Sequence, residues 1–161
     1  GGEGRIRFKL NSLLDEEFID ALYRASNAGV RIDITVRGIC ALRAGLVGKS
    51  ENITVRSILG RYLEHSRIYH FANAGHDEYW IGSADLMHRN LDRRIEALVR
   101  IDQKDHKKIL QQSLDAQLSE TTPCWEMTPD GKWYRITKDK DGTPLVDFHT
   151  QMINWYESRG E

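Results

Sequence analysis

Apolar and charged side chains alternate along residues 5–10, with Ile6, Phe8 and Leu10 on one side of an extended chain and Arg5, Arg7 and Lys9 on the other. A period of two predicts a strand with one buried face. From Asp15 the spacing changes: Phe18, Ile19, Leu22 and Tyr23 recur at helical intervals, behind the acidic Asp15, Glu16 and Glu17 and ahead of Gly29. Acids at the start and a glycine just past the end suit the dipole and the exit of a helix. Alternation returns over residues 30–36 through Val30, Ile32, Ile34 and Val36. Strand, helix and strand in that order make a parallel crossover unit, so an α/β fold is expected.

Further along, residues 53–55 read as a short strand and 57–63 as a helical turn. Residues 68–71 and 78–81 read as two strands joined by a turn at 74–77. Residues 94–101, with Ile95, Ala97, Val99 and Ile101 alternating, predict another strand, and 104–118 an amphipathic helix carried by Ile109, Leu110, Leu114 and Leu118. Thr122 and Pro123 close that helix. After Cys124, Trp125 and residues 133–136 form a hairpin pattern around Pro129, Asp130 and Gly131. Phe148, Ile153, Trp155 and Tyr156 suit a terminal helix. The expected organisation is a linker over residues 1–4, one lobe over 5–120 and a C-terminal hairpin-helix appendage over 121–161 packed on that lobe.

Composition narrows the function. With 161 residues and 40% hydrophobic side chains the chain can bury a core of its own. Its 23 basic and 24 acidic side chains leave a net charge of -1, so no global field favours nucleic acid or an anionic membrane, and any anion site has to be local. Cys40 and Cys124 lack metal-ligand spacing and read as buried free thiols, and no apolar run reaches the ~20 residues that a membrane span needs. The opening Gly1, Gly2, Glu3 and Gly4 read as a linker, and the chain is expected to be a fragment of a longer cytoplasmic protein.

One stretch carries chemistry. His65 and Arg67 lie just before the apolar run 68–71, where a strand would place both at its mouth and on one face. The strand ending at residue 81 is followed by Gly82, Ser83 and Ala84, small enough for a ligand to approach and offering a hydroxyl. Arg67, Arg89, Arg93 and Arg94 supply charge, and the planar guanidinium fork matches phosphate oxygens. Arg37 follows Val36 at the carboxyl end of the second strand, where open α/β sheets collect ligands. Mixed charges more often form a solvated face, in which Arg89, Arg93 and Arg94 would pair with Asp85, Asp92 and Glu96. An imidazole between Glu64 and Arg67 has the parts for acid–base work. The other histidines carry no such argument. Gly48, Lys49 and Ser50 do not complete a nucleotide-binding glycine loop, because Arg43 stands where its first glycine is required.

Residues 36–40 (Val-Arg-Gly-Ile-Cys), 50–53 (Ser-Glu-Asn-Ile), 57–58, 60–67 (Gly-Arg-Tyr-Leu-Glu-His-Ser-Arg) and 83–90 (Ser-Ala-Asp-Leu-Met-His-Arg-Asn) together resemble the C-terminal catalytic part of bacterial polyphosphate kinase. The resemblance runs over residues 5–118 and fades beyond Cys124. It implies a phospholipase D-like lobe with a mixed β-sheet flanked by helices, sharing its site with a preceding lobe that bears a phosphorylated histidine. It implies His65 as the assisting proton donor and Arg37 and Arg94 as phosphate ligands. Arg67, Ser83, Arg89 and Asn90 join them as candidate phosphate or nucleotide contacts. ATP or ADP and inorganic polyphosphate are the implied substrates, with Mg2+ arriving on the nucleotide rather than on a protein metal site. A homo-oligomer is expected for the full-length protein, its membrane association is left open, and the isolated chain is expected to be inactive. Leu86 stands where the family usually has Trp. Arg67 and Ala72 replace the lysine and aspartate of the wider phospholipase D signature, which disfavours the rival reading of a phosphodiesterase or nuclease. A non-catalytic polyphosphate-binding module is the third reading.

Overall fold

The computed structural model describes residues 4–160; residues 1–3 of the expected linker lie outside the described residues. Eight strands form one sheet: β1 (Arg5–Leu10), β2 (Arg31–Val36), β3 (Ile53–Ser57), β4 (Ile68–Phe71), β5 (Glu78–Gly82), β6 (Leu98–Ile101), β7 (Cys124–Met127) and β8 (Trp133–Ile136). Their order across the sheet is β6-β5-β4-β1-β2-β3-β7-β8. The central strands β1, β2 and β3 run parallel, and β4 and β7 join them antiparallel on either side. Four helices accompany the sheet: α1 (Glu16–Asn27), α2 (His88–Leu91), α3 (Lys104–Leu118) and α4 (Phe148–Ser158). The expectation of a mixed α/β sheet flanked by helices is met.

The crossover from β1 through α1 to β2 forms for the reasons its sequence gives. The Asp15 carboxylate accepts the Phe18 N–H at 2.9 Å and caps α1, while Gly29 takes a φ of 87° just beyond the helix. Phe8, Leu10, Ile32, Ile34, Val36 and Val55 then bury against Ile19 and Leu22 of α1 as the main core. Both faces of β1 are buried, however, which corrects the expectation of one. Arg7 and Lys9 face away from α1 and are 4% and 0% exposed. Helix α3 returns over that second face, where Leu114 packs with Ile68 and Tyr79.

Three further expectations change. Residues 94–97 are not strand: β6 begins at Leu98, and Ile95 projects fully into solvent. Residues 57–63 contain no helical turn, because Ser57 still belongs to β3 and an irregular segment follows. The C-terminal hairpin forms as expected, and β7 pairs with β3, so it continues the same sheet. Helix α4 packs on α3, with Phe148 buried against Ile58, Ala116 and Cys124.

Candidate functional site

The carboxyl ends of β1, β2 and β3, the start of β4 and the end of β5 all reach one edge of the sheet. Strand direction alone therefore brings Asn11, Arg37, the 58–67 segment and Ser83 together. An open cavity of about 680 Å³ lies there between the sheet and helices α3 and α4, walled by His65, Arg67, Ile68, Ser83, Leu110 and Phe148 among others.

His65 is exposed and stands three residues before β4, so the expected placement of His65 and Arg67 by strand alternation does not apply. Donors from elsewhere hold the segment instead. Asn11 Nδ2 and an Arg67 guanidinium nitrogen each reach the His65 carbonyl at 3.4 Å, and Lys9 Nζ donates to the Ser66 carbonyl at 3.2 Å. Asn11 also accepts Arg37 Nε at 2.9 Å through its side-chain oxygen. Arg37 and His65 are thus joined through one asparagine. From the other side, Asp147 at the start of α4 accepts the Arg61 N–H at 3.1 Å, and His149 Nδ1 accepts the Tyr62 N–H at 3.3 Å. Gly60 makes this approach possible: a Cβ there would lie 2.4 Å from His149 Nδ1 and 2.5 Å from an Asp147 oxygen.

Arg67 is anchored on Asp85 at 2.9 Å, and the other oxygen of Asp85 accepts the Asn11 and Ser12 N–H groups at 2.7 and 3.2 Å. Burial would raise the Asp85 pKa, but the hydrogen bonds from Arg67 and these backbone groups prevail and hold it below the ordinary carboxylate range. Ser83 donates its hydroxyl to Glu96, and Asn90 Nδ2 donates to the same carboxylate at 2.5 Å. Those bonds, Ser83 first, hold the Glu96 pKa down. Gly82 makes room for β6 rather than for a ligand, since a Cβ would lie 2.4 Å from the Ala97 carbonyl. The expected pairing of Asp85, Asp92 and Glu96 with Arg89, Arg93 and Arg94 is not found. Among the described residues none of these three arginines has a carboxylate within 4.0 Å; Asp85 takes Arg67, and Asp92 takes His88. Of the residues singled out in the sequence, His65, Arg67 and Ser83 line the cavity; Arg37 and Asn90 stand behind its wall, Arg37 linked to the His65 carbonyl by Asn11 and Asn90 to Ser83 by Glu96. Arg89 and Arg94 lie outside the cavity wall.

Lys9, Asn11, Asp147 and His149 carried no signal in the sequence, since each acts on residues 50 or more positions away. Both cysteines are free; Cys124 is buried as expected and Cys40 only half-buried, and desolvation raises both thiols, Cys40 to about 11. The carboxylates around this edge are already hydrogen-bonded: Glu64 accepts the Ser66 N–H at 2.9 Å, while Asp85 and Glu96 hold the partners named above. The one group of potential metal ligands among the described residues is Asp15, His88 and Asp92, at the start of α1, where His88 bridges the two carboxylates at 3.1 and 3.4 Å.

The sequence pattern of polyphosphate kinase C-terminal domain 2 matches residues 1–145. The chain belongs to that family. The match passes Leu118 and Cys124, so the likeness reaches further along the chain than the expected 5–118. Curated relatives include polyphosphate kinase of Streptomyces coelicolor, 53% identical over 154 residues covering 96% of this chain and 21% of the relative, and polyphosphate kinase of Mycobacterium avium, 59% identical over 157 residues covering 98% and 21%. The chain therefore spans about a fifth of the length of the relatives it matches. A crystal structure of polyphosphate kinase from Porphyromonas gingivalis superposes with a TM-score of 0.91 at 34% identity, over 99% of this chain and 24% of that one. NucT from Helicobacter pylori shares the fold alone, with a TM-score of 0.55 at 10% identity over 71% of this chain and 78% of that one. No helix among the described residues is long and apolar enough to cross a membrane.

Proposed function

We propose that this lobe supplies the proton-donating and phosphate-clamping half of an ATP:polyphosphate phosphotransfer site. In the complete enzyme a preceding lobe would carry the phosphorylated histidine. The observation that supports this most is the Arg37–Asn11–His65 linkage at the carboxyl edge of the parallel strands. It ties the Arg37 guanidinium to the backbone of the segment that carries the exposed His65, one side chain for phosphate oxygens and one for a proton.

In the first step the bond from the terminal phosphorus of ATP to the bridging oxygen breaks as a bond to the partner histidine's nitrogen forms, and ADP departs. In the second step that P–N bond breaks as an oxygen of the polyphosphate terminus attacks. Both directions place extra charge on oxygens facing this edge. His65 delivers a proton to the departing oxygen or recovers one from it, and Arg37 and Arg94 spread the charge on the transferring group. Arg67, Ser83 and Asn90, already held by Asp85 and Glu96, keep the walls of the site in place, and Arg89 adds charge at its rim. Mg2+, when bound on the nucleotide, neutralises phosphate charge. The committed carboxylates beside His65 fit that arrangement better than a protein-held ion.

In the complete enzyme, His65→Gln should lower turnover roughly 10²–10⁴-fold, the usual worth of general acid–base catalysis. Arg37→Met should lower it by about 10²-fold or more, as removal of one preorganised charge does elsewhere. The 161-residue chain alone should show no turnover. Wild-type rates in either variant, or nuclease activity in the complete protein, would overturn the reading.

A further inference from the structure

Lys9 is fully buried, yet among the described residues no carboxylate lies within ion-pair distance of its ammonium. It donates to two backbone carbonyls, Leu10 at 3.3 Å and Ser66 at 3.2 Å. An ammonium has three protons to place, so one is left over. The neighbouring Thr35, opposite Lys9 in the β1–β2 register, has a buried hydroxyl that is also without a partner. The charged groups acting on Lys9 come from three places: Glu64 and Arg67 in the segment before β4, Arg37 after β2, and Asp85 after β5. Glu64 in turn faces His149 of α4 at 3.6 Å. Two of the four are cations, and Asp85 is already committed to Arg67 and two N–H groups.

A charge held this way lowers the stability of the fold, because the water it gives up is poorly replaced. A methionine would fill the same space at no such cost. We propose that Lys9 is a positioning residue of the phosphotransfer site and its buried third cation: it fixes the backbone next to His65 and, with Arg37 and Arg67, gives this edge a positive potential suited to a phosphate polymer. The inference rests on the reading of the site given above and names how that site favours a polyanion.

Burial, opposed by Glu64 and Asp85 and reinforced by Arg37 and Arg67, lowers the Lys9 pKa to about 8. A polyanion bound above Lys9 stabilises the ammonium and raises that value. Binding then takes up a proton once free Lys9 begins to lose its own. Polyphosphate affinity falls as pH rises through about 8, by about tenfold for each unit by which the ligand raises the pKa. Arginines do not titrate there, and further ionisation of a terminal phosphate would strengthen binding as pH rises, so an alkaline loss that disappears in Lys9→Met belongs to Lys9.

The test uses the complete enzyme with polyphosphate as ligand, measuring Kd and KM from pH 7 to 9.5 for wild type, Lys9→Met and Lys9→Gln, with His65→Gln and Arg37→Met alongside. Wild type should show the alkaline limb. Lys9→Met should bind polyphosphate at least tenfold more weakly at pH 7, lack the limb, and keep or raise its unfolding temperature. Lys9→Gln, which can still donate to the Ser66 carbonyl, should recover kcat more than KM. A wild-type Kd that is flat from pH 7 to 9.5 overturns the inference without any variant. So does a Lys9→Met enzyme that keeps wild-type affinity, or one that loses affinity only in proportion to lost fold. If His65→Gln and Arg37→Met also turn over normally, the reading of the site fails. If they fail to turn over while Lys9→Met is normal, only the role of Lys9 falls.

Discussion

Arg7 and Lys9 stand two residues apart on the same face of β1, both buried and both cationic, and the protein treats them in opposite ways. Arg7 is surrounded by partners: Asp115 of α3 at 2.5 Å, His70 Nδ1 at 3.0 Å and the Tyr79 hydroxyl at 3.1 Å. His70 passes the chain of hydrogen bonds on to Asp77 at 2.6 Å. Helix α3 and strands β4 and β5 thus each contribute an acceptor to one guanidinium fork. Lys9, nearer the carboxyl edge, has two carbonyls and two neighbouring arginines. Burial of charge holds the fold together at the first position and serves the site at the second. Compensation by partners, rather than depth of burial, separates the two roles.

The largest effect that could break this comparison is on stability at Arg7. Arg7→Met should lower unfolding free energy by about 3 kcal/mol, at the low end for breaking a buried charged network because Asp115 is half exposed. Polyphosphate binding by the protein that remains folded should be unchanged. Denaturant unfolding checks this, and a loss below ~1 kcal/mol would mean that Arg7 is as poorly compensated as Lys9. Lys9→Met should move stability the other way, up by about 1–3 kcal/mol near pH 7, as removing an incompletely paired buried charge does. The sign follows from linkage: the folded pKa of about 8 lies below the unfolded value, so the ammonium costs stability up to pH 8 and the cost fades as pH rises further. Urea midpoints for wild type should therefore approach those of Lys9→Met between about pH 8 and 10.5. A Lys9→Met protein less stable than wild type would make both cations structural.

The smallest effect concerns His70. Burial, then Arg7, lowers its pKa, with Asp77 opposing, and the nitrogen facing Arg7 must be unprotonated to accept its N–H. Its folded pKa lies below the unfolded value of about 6.5, so the unfolded chain binds more protons in that window and stability falls as pH drops below about 6.5. His70→Gln, which keeps an acceptor and a donor, should show a shallower loss of unfolding temperature between pH 7 and 5 than wild type. Equal slopes would remove His70 from the network.

The sequence carried the strands, the two long helices and the motifs around Arg37 and His65, because periodicity and residue type are local. It misread the second face of β1, since charged side chains ordinarily mean solvent. That face is closed by α3, whose Asp115 meets Arg7 across 108 positions of chain. It extended β6 back to residue 94 because Ile95 and Ala97 keep the alternation. The Glu96 carboxylate is instead drawn to Ser83 and Asn90, and the chain turns there. It set His65 and Arg67 on one face at the mouth of a strand, whereas Asn11, Lys9 and the start of α4 hold an irregular segment by its backbone groups. Contacts to a carbonyl or an N–H leave no residue signature at the position they hold, so the supporting half of the site was invisible.

The central claim is that this lobe carries a phosphate site at the carboxyl edge of its parallel strands. An NMR amide titration of the chain with polyphosphate, and separately with magnesium-ATP, at two salt concentrations tests it most directly. Shifts should cluster at Asn11, Arg37 and residues 65–67 and persist at the higher salt. Shifts scattered over exposed lysines such as Lys104, Lys108 and Lys140, and abolished by salt, would contradict it.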